Sequence, residues 1–318
     1  MIRQEGMLKM VVERKIPSWM GDILLLITAI VWGAGYIGVV ESLDTLTPFY
    51  MIATRFAIAS ILMLVCFFKK FKTIGKSDLM PGIASGFFLF LGFALQTIGA
   101  MYVSVGKLAF LTALNVIMVP FIVLVCFKEK IKKYNLVSSV IAVVGFAFLN
   151  LSKESGFSIG TGEVLGIGCA IGFAGQIALL GYFATKKDPI KLAILQMFTC
   201  TILGVICAIL FEVPPKAITL EMIMPVSYLG IFSTFIAFLF QTIGQKYTSA
   251  SRAAILLSME SVFGISLSVL ILKETITTSM LIGAVLIFVA VIIAEYMHAR
   301  SEAKKDKDLV NKKEGYLE

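Results

Sequence analysis

The chain has 318 residues, 58% of them hydrophobic and only 15% charged, with 25 Phe and a mean hydropathy of +0.94. Soluble globular proteins run at about 45–50% apolar and about 25% charged, so the polar surface here is too thin to cover the apolar bulk in water. That excludes a soluble enzyme, a disordered chain and a nucleic-acid-binding domain, and it leaves the net charge of +8 to be explained by position.

A helix needs about 20 apolar residues to cross a bilayer, and the apolar runs divide the chain into ten such segments. In chain order, spans are predicted at Met20–Val40, Pro48–Phe68, Leu79–Tyr102, Val105–Phe127 and Tyr134–Leu151. The second set runs Gly162–Phe183, Pro189–Phe211, Met222–Lys246, Ala250–Leu272 and Thr278–His298. Each is apolar on all sides, whereas a β-barrel would show segments of about ten residues with alternating polarity. The expected fold class is an all-α polytopic membrane protein of ten transmembrane helices.

Ten spans put both termini on one side, and the Lys/Arg bias chooses the side. With the termini inside, 23 of the 28 Lys and Arg fall on inner segments. Outside are only Lys107, Lys153, Lys216 and Lys273, and Arg55 lies within a span. The excess positive charge is thus an orientation signal for a multi-pass protein of the cell membrane with cytoplasmic termini. No nucleic-acid partner is needed. Residues Met1–Pro17 carry Glu5 and Glu13 with no short apolar stretch before the first span, so no cleaved signal peptide is expected. Trp19 stands at the inner interface, where aromatic belts form. The tail Arg300–Glu318 alternates Lys with Asp and Glu and reads as solvated and poorly ordered. The five cysteines fall within spans without C-x-x-C spacing, as packing residues and not as a metal or redox site. No cofactor is expected.

Self-similarity organises the spans. At an offset of about 145, Gln96-Thr97-Ile98-Gly99 falls on Gln241-Thr242-Ile243-Gly244, Tyr102 on Tyr247, Lys107 on Arg252, and Lys128-Glu129 on Lys273-Glu274. Nearer the start of each half the offset is about 141, placing Gly21-Asp22 on Gly162-Glu163 and Trp32 on Phe173. The domains are therefore a cytoplasmic segment 1–19, a first five-helix repeat 20–151, a second repeat 162–298 and the charged tail 299–318. An odd number of helices per repeat inverts the second copy in the membrane, which is the architecture of secondary transporters that rock about a site near the midplane.

These residues carry a resemblance. The Gly-Asp start with Trp32-Gly33, the stretch Ala109-Phe110-Leu111-Thr112 leading to Val119-Pro120, the run from Gln176-Ile177 to Leu180-Gly181-Tyr182, and Met259-Glu260-Ser261-Val262-Phe263 resemble the drug/metabolite transporter superfamily, in particular its EamA-type members. Members usually have Pro after the glutamate of the ninth helix, where this chain has Ser261. The resemblance implies a ten-helix carrier exporting amino acids, other metabolites or drugs. It also implies a central cavity lined by helices 1, 3, 4, 6, 8 and 9.

Polar groups in hydrocarbon mark pathways or partners. Glu260 lies mid-span and its repeat partner is Asn115; it reads either as a substrate-amine or proton site, the coupling candidate, or as a structural hydrogen-bonding group. The matched pair Gln96 and Gln241, with Gln176, would coordinate a zwitterion or glue helices together. Trp32 and Tyr36 share a helix face that points either to the cavity, the preferred reading, as an aromatic, cation-attracting wall, or to lipid as ordinary bulk. Arg55 would bind a substrate carboxylate or, the preferred reading, snorkel or form an ion pair toward Glu41 or Asp44. Asp22 and Glu163 are expected to cap helix starts, and Glu129 and Glu274 to form salt bridges near a gate. Pro120 is expected to bend the fourth helix.

The predicted function is a secondary carrier for a small-molecule substrate, with membrane lipid as its surroundings and protons as a candidate coupling ion. An intramembrane enzyme would need a nucleophile or metal cluster, and one histidine with one deep carboxylate supplies neither. A channel would need rings of charge along a pore.

Overall fold

The computed structural model describes residues 18–43, 45–103, 105–150, 160–215, 217, 219–272 and 277–314, apart from scattered side chains within them. The side chain of Tyr36 and residues Asp44, Lys273 and Glu274 lie outside the described residues. The described residues are helical throughout, joined by turns and short loops, with no strand among them.

Helix α1 spans Ser18–Leu43, α2 Pro48–Cys66, the single turn α3 Phe68–Phe71, and α4 Lys76–Gly99. The fourth predicted span is two helices, α5 Val105–Ala113 and α6 Asn115–Phe127, followed by α7 Lys133–Asn150. The second half runs α8 Thr161–Phe183, α9 Pro189–Phe211 and α10 Leu220–Tyr228. A π-helical segment, Leu229–Ile236, then leads into α11 Ala237–Gln245. The ninth predicted span is α12 Ala250–Leu257 plus α13 Met259–Leu272, and α14 runs Thr278–Glu314.

Local chemistry explains the starts. Pro occupies the first position of α2 and of α9, where its missing N–H costs nothing. Asp188 caps α9 by accepting the Ile190 N–H at 3.0 Å, and Asp78 and Glu163 each reach back to the N–H of Gly75 and Gly160 at 3.0 and 2.9 Å. Among the described residues, seven helical stretches are long and apolar enough to cross a membrane, and the shorter apolar stretches Trp19–Gly35 and Lys133–Phe148 accompany them. Large apolar side chains such as Ile61, Val65, Val125, Ile209 and Phe288 face outward; so much exposed apolar surface is stable only against lipid.

The last helix corrects the reading of the tail. It continues to Glu314, since residues 299–314 contain neither Gly nor Pro and are rich in Ala, Lys and Glu; Gly315 is the first breaker.

Packing joins the halves instead of separating them. Helix α4 lies against α8, α7 against α14, α9 against both α2 and α4, and α1 against α11 and α13. The α4–α8 contact is close because Gly92 and Gly172 face each other, a Cβ on Gly172 falling 2.6 Å from the Gly92 nitrogen. Gly86 likewise admits the backbone of α9, with Gln196 Cα 2.8 Å from where a Cβ would sit. One apolar core gathers Leu25, Val116, Phe146, Ala174, Ala254 and Ile287; a second gathers Met51, Phe56, Leu89, Ile194, Met197 and Leu229. Trp32 packs against both, at the seam where the cavity opens.

Candidate functional site

A cavity of about 150 Å³ lies between the two cores. Its wall takes Trp32 from α1, Arg55 from α2, Phe93 and Gln96 from α4, and Asn115 from α6. Phe173 and Gln176 come from α8, Ser233 from the π segment, Phe238 and Gln241 from α11, and Glu260 from α13. Six of the seven residues expected at a substrate site therefore share one cavity, and only Tyr36 falls on an undescribed side chain.

The lining is paired across the repeat. Trp32 and Phe173 are equivalent at the 141 offset, and Phe93 and Phe238, Gln96 and Gln241, and Asn115 and Glu260 at the 145 offset; both members of each pair line the cavity. The aromatic members touch: Phe93 meets Phe173 edge-on at 5.3 Å between centroids, and Trp32 lies 4.9 Å from Phe238. Phe93 and Phe238 were not anticipated, although the same offset that matched Gln96 with Gln241 matches them.

Two interruptions bring Asn115 and Glu260 to the wall. At Leu114 the backbone tightens (φ −58°, ψ −17°), with Ile117 N–H donating to Leu114 O at 3.1 Å. Ser258 repeats this (φ −62°, ψ −17°), its N–H reaching Ile255 O at 3.2 Å. Both are 3₁₀-like steps. Helix α6 runs on through Pro120, so the expected distortion of the fourth span sits at Leu114. In the ninth span no proline is needed: Ser258 Oγ donates to Ile255 O at 2.6 Å and draws that carbonyl out of the regular ladder.

The π segment is the third irregular element. Trp32 Nε1 donates to Ser233 O at 2.9 Å, and Thr28 Oγ1 donates to Ala237 O at 3.2 Å, so α1 holds one carbonyl within the segment and one at the first residue after it. Its hydroxyls in turn hold Arg55, whose Nε donates to Thr234 Oγ1 at 2.9 Å and whose Nη2 donates to Ser233 Oγ at 3.3 Å. The guanidinium also lies 4.7 Å from the Phe93 ring centroid. This overturns the snorkelling expectation. Arg55 is 2% exposed and turned into the cavity, because two hydroxyls and an aromatic face are nearer than water.

The glutamines are engaged with each other. Gln176 Nε2 donates to Gln241 Oε1 at 3.1 Å, and Gln241 Nε2 donates to Gln176 Oε1 at 3.2 Å. Gln196 joins them, accepting from Gln176 at 3.3 Å and donating to Thr242 Oγ1 at 3.0 Å. This buried amide set ties α8, α9 and α11 where they meet the cavity.

Charged clusters flank the site. Asp22 does not cap its own helix; it is buried, accepts from Thr248 Oγ1 at 2.8 Å and pairs with Arg252 at 2.6 Å. Arg252 also pairs with Glu295, which ties α1, α12 and α14 at one end of the bundle, and its Nη1 is buried without a hydrogen-bond partner among the described residues. Glu163, by contrast, makes the expected cap. Glu129 lines a second, polar pocket beside Lys246 and Tyr182. Outside the spans, Asp188 pairs with Lys70 at 2.5 Å. Burial pushes its carboxyl up, but the Lys70 bond and the Ile190 N–H prevail and hold it below the usual carboxylate range.

The profile of the EamA-like transporter family matches residues 19–151 and again 160–296. The chain belongs to the EamA-like transporter family. Two EamA copies thus cover the two halves that supply the paired cavity wall, and as a family member the chain is a multi-pass membrane transporter of small molecules. An uncharacterized transporter of Archaeoglobus fulgidus is 34% identical over 272 residues, 86% of this chain and 84% of its own length. An uncharacterized transporter of Clostridium kluyveri is 26% identical, over 86% of this chain and 92% of its own. A protein of known crystal structure shares the fold, with a TM-score of 0.75 at 18% identity over 89% of this chain and 98% of that one.

Proposed function

We propose that this EamA-family protein is a secondary active transporter that exports amino acids or related small metabolites by alternating access. In this reading ten helices form two inverted five-helix repeats in the cell membrane, with both termini cytoplasmic. The observation that carries it is the paired wall: equivalent residues of the two halves face one another across a single cavity. If the halves are related by an axis in the membrane plane, exchanging their conformations converts an outward-open state into an inward-open one of similar energy. The helix contacts support this, since α4 against α8 is matched by α11 against α1, and α6 against α8 by α13 against α1.

Trp32, Tyr36, Gln96, Asn115, Gln176, Gln241 and Glu260 are the substrate-site residues of this reading, with Glu260 the proton-coupling candidate. The second reading is efflux of drugs or toxic compounds, which the aromatic wall of Trp32, Phe93, Phe173 and Phe238 favours. Substrate release from proteoliposomes, screened over amino acids and lipophilic cations with and without a pH gradient, tests both. The expected result is amino-acid release that a pH gradient accelerates in the wild type and not in Glu260→Gln. Equal acceleration in the variant removes Glu260 from coupling, and release of lipophilic cations alone selects the drug reading.

A further inference from the structure

A buried guanidinium needs a stated reason to be where it is. Arg55 lies inside a span, 2% exposed, on the wall of the central cavity. Its hydrogen-bond partners, Thr234 and Ser233, are neutral hydroxyls that orient the fork without cancelling its charge. They engage two of the five N–H donors a guanidinium carries. The same cavity wall holds a carboxylate, Glu260, on another helix. The wall thus presents a cation and a carboxylate on separate helices, together with the rings of Trp32, Phe93, Phe173 and Phe238.

We propose that Arg55 is the anion anchor of the transport site and that it makes the site selective for substrates bearing a carboxylate. This rests on the carrier reading above and adds the group that sorts substrates within it. A carboxylate entering the cavity finds a planar fork already oriented by two hydroxyls and held against Phe93, so little rotamer freedom is lost on pairing. The substrate ammonium then falls toward Glu260, and a net-neutral zwitterion leaves the cavity's total charge unchanged. A cation without a carboxylate brings a like charge beside Arg55 and gains no pairing there, so it is disfavoured, which is specificity by repulsion. The π segment is part of the device, because it presents Ser233 and Thr234 together toward α2.

The test uses detergent-purified full-length protein and proteoliposomes, with L-leucine, L-phenylalanine and L-threonine, each beside its amide, and tetraphenylphosphonium as a lipophilic cation. Binding is read from the ligand-dependent rise in unfolding temperature, and exchange from counterflow. The wild type is expected to bind at least one acid about tenfold or more tighter than its amide, as loss of a charge-assisted bidentate pair implies. Arg55→Gln is expected to bring that acid down to the affinity of the amide, and Arg55→Lys to keep part of the difference. Should Arg55→Gln not purify folded, Thr234→Val, which removes the holder of Nε, is expected to reduce the acid-to-amide ratio several-fold. A wild type that binds amide as well as acid, or variants that keep the full ratio, overturns the assignment. Counterflow of tetraphenylphosphonium with none of the acids overturns the Arg55 role and leaves the carrier standing; no counterflow of any probe counts against both.

Discussion

Gln176 and Gln241 each present an amide to the other, and in the interior of a membrane protein that reciprocity is what makes two buried polar groups tolerable. Removing one leaves the other without its partner, a loss of about 1–3 kcal/mol. Gln241→Leu is therefore expected to lower the unfolding temperature in detergent, and Gln176→Leu/Gln241→Leu to cost less than the two single changes summed. A double-mutant cycle reads that coupling directly. These residues were legible because a glutamine in an apolar run stands out. Arg55 stood out equally, yet its sequence neighbours Glu41 and Asp44 suggested the wrong partner. Its real partners, Ser233 and Thr234, lie almost 180 positions away and carry no charge to announce them.

At the scale of elements, the cluster of Asp22, Arg252 and Glu295 ties α1, α12 and α14 at the end of the bundle that carries the basic loops. Two carboxylates share one guanidinium, so removing it leaves like charges facing each other in a poorly hydrated place. Arg252→Ala is expected to loosen this end, and reaction of a cysteine placed at Ser258 with a membrane-impermeant thiol reagent applied from that side should rise several-fold. An unchanged rate would mean that the cluster does not close the path to the cavity. The Lys70–Asp188 pair predicts a pH effect of known sign. Asp188 is held below its ordinary range, so its contribution to stability is present above the unfolded-state carboxylate pKa of about 3.9 and is lost as pH falls toward the lowered folded value. Asp188→Asn should flatten the acid limb of the unfolding-temperature profile slightly, since the pair is partly exposed.

Helix existence was readable because a run of twenty apolar residues has few other uses, but helix interruption was not. Pro120 drew the eye, whereas the steps came at Leu114 and Ser258, set by backbone tightening and a serine back-bond. The π segment of α10–α11 leaves no mark that periodicity detects, because the residues around it are apolar on every side.

For the whole molecule, the proposed inverted repeat predicts opposite orientations of the two copies. Cysteines introduced at Lys130 and Thr277, which follow the fourth and ninth predicted spans, are expected to label from opposite faces of the membrane. Labelling from one face would remove the inverted repeat, and with it the exchange of halves on which alternating access is built. A companion test exchanges the repeat partners: Asn115→Glu with Glu260→Asn should still purify folded, since both positions lie just past similar helix steps and border one cavity.

Composition, run length and the internal offset by themselves determined that this chain is a helical membrane protein, where its helices lie, and which residues of one half answer to which of the other. Those properties depend on each segment's own balance between lipid and water, and that balance is local. Only the tertiary structure decided that Arg55 turns inward, that the glutamines satisfy each other and that Asp22 reaches Arg252. Each of these is a choice among partners distant in the chain, and in a medium without water the group that comes within hydrogen-bonding distance wins.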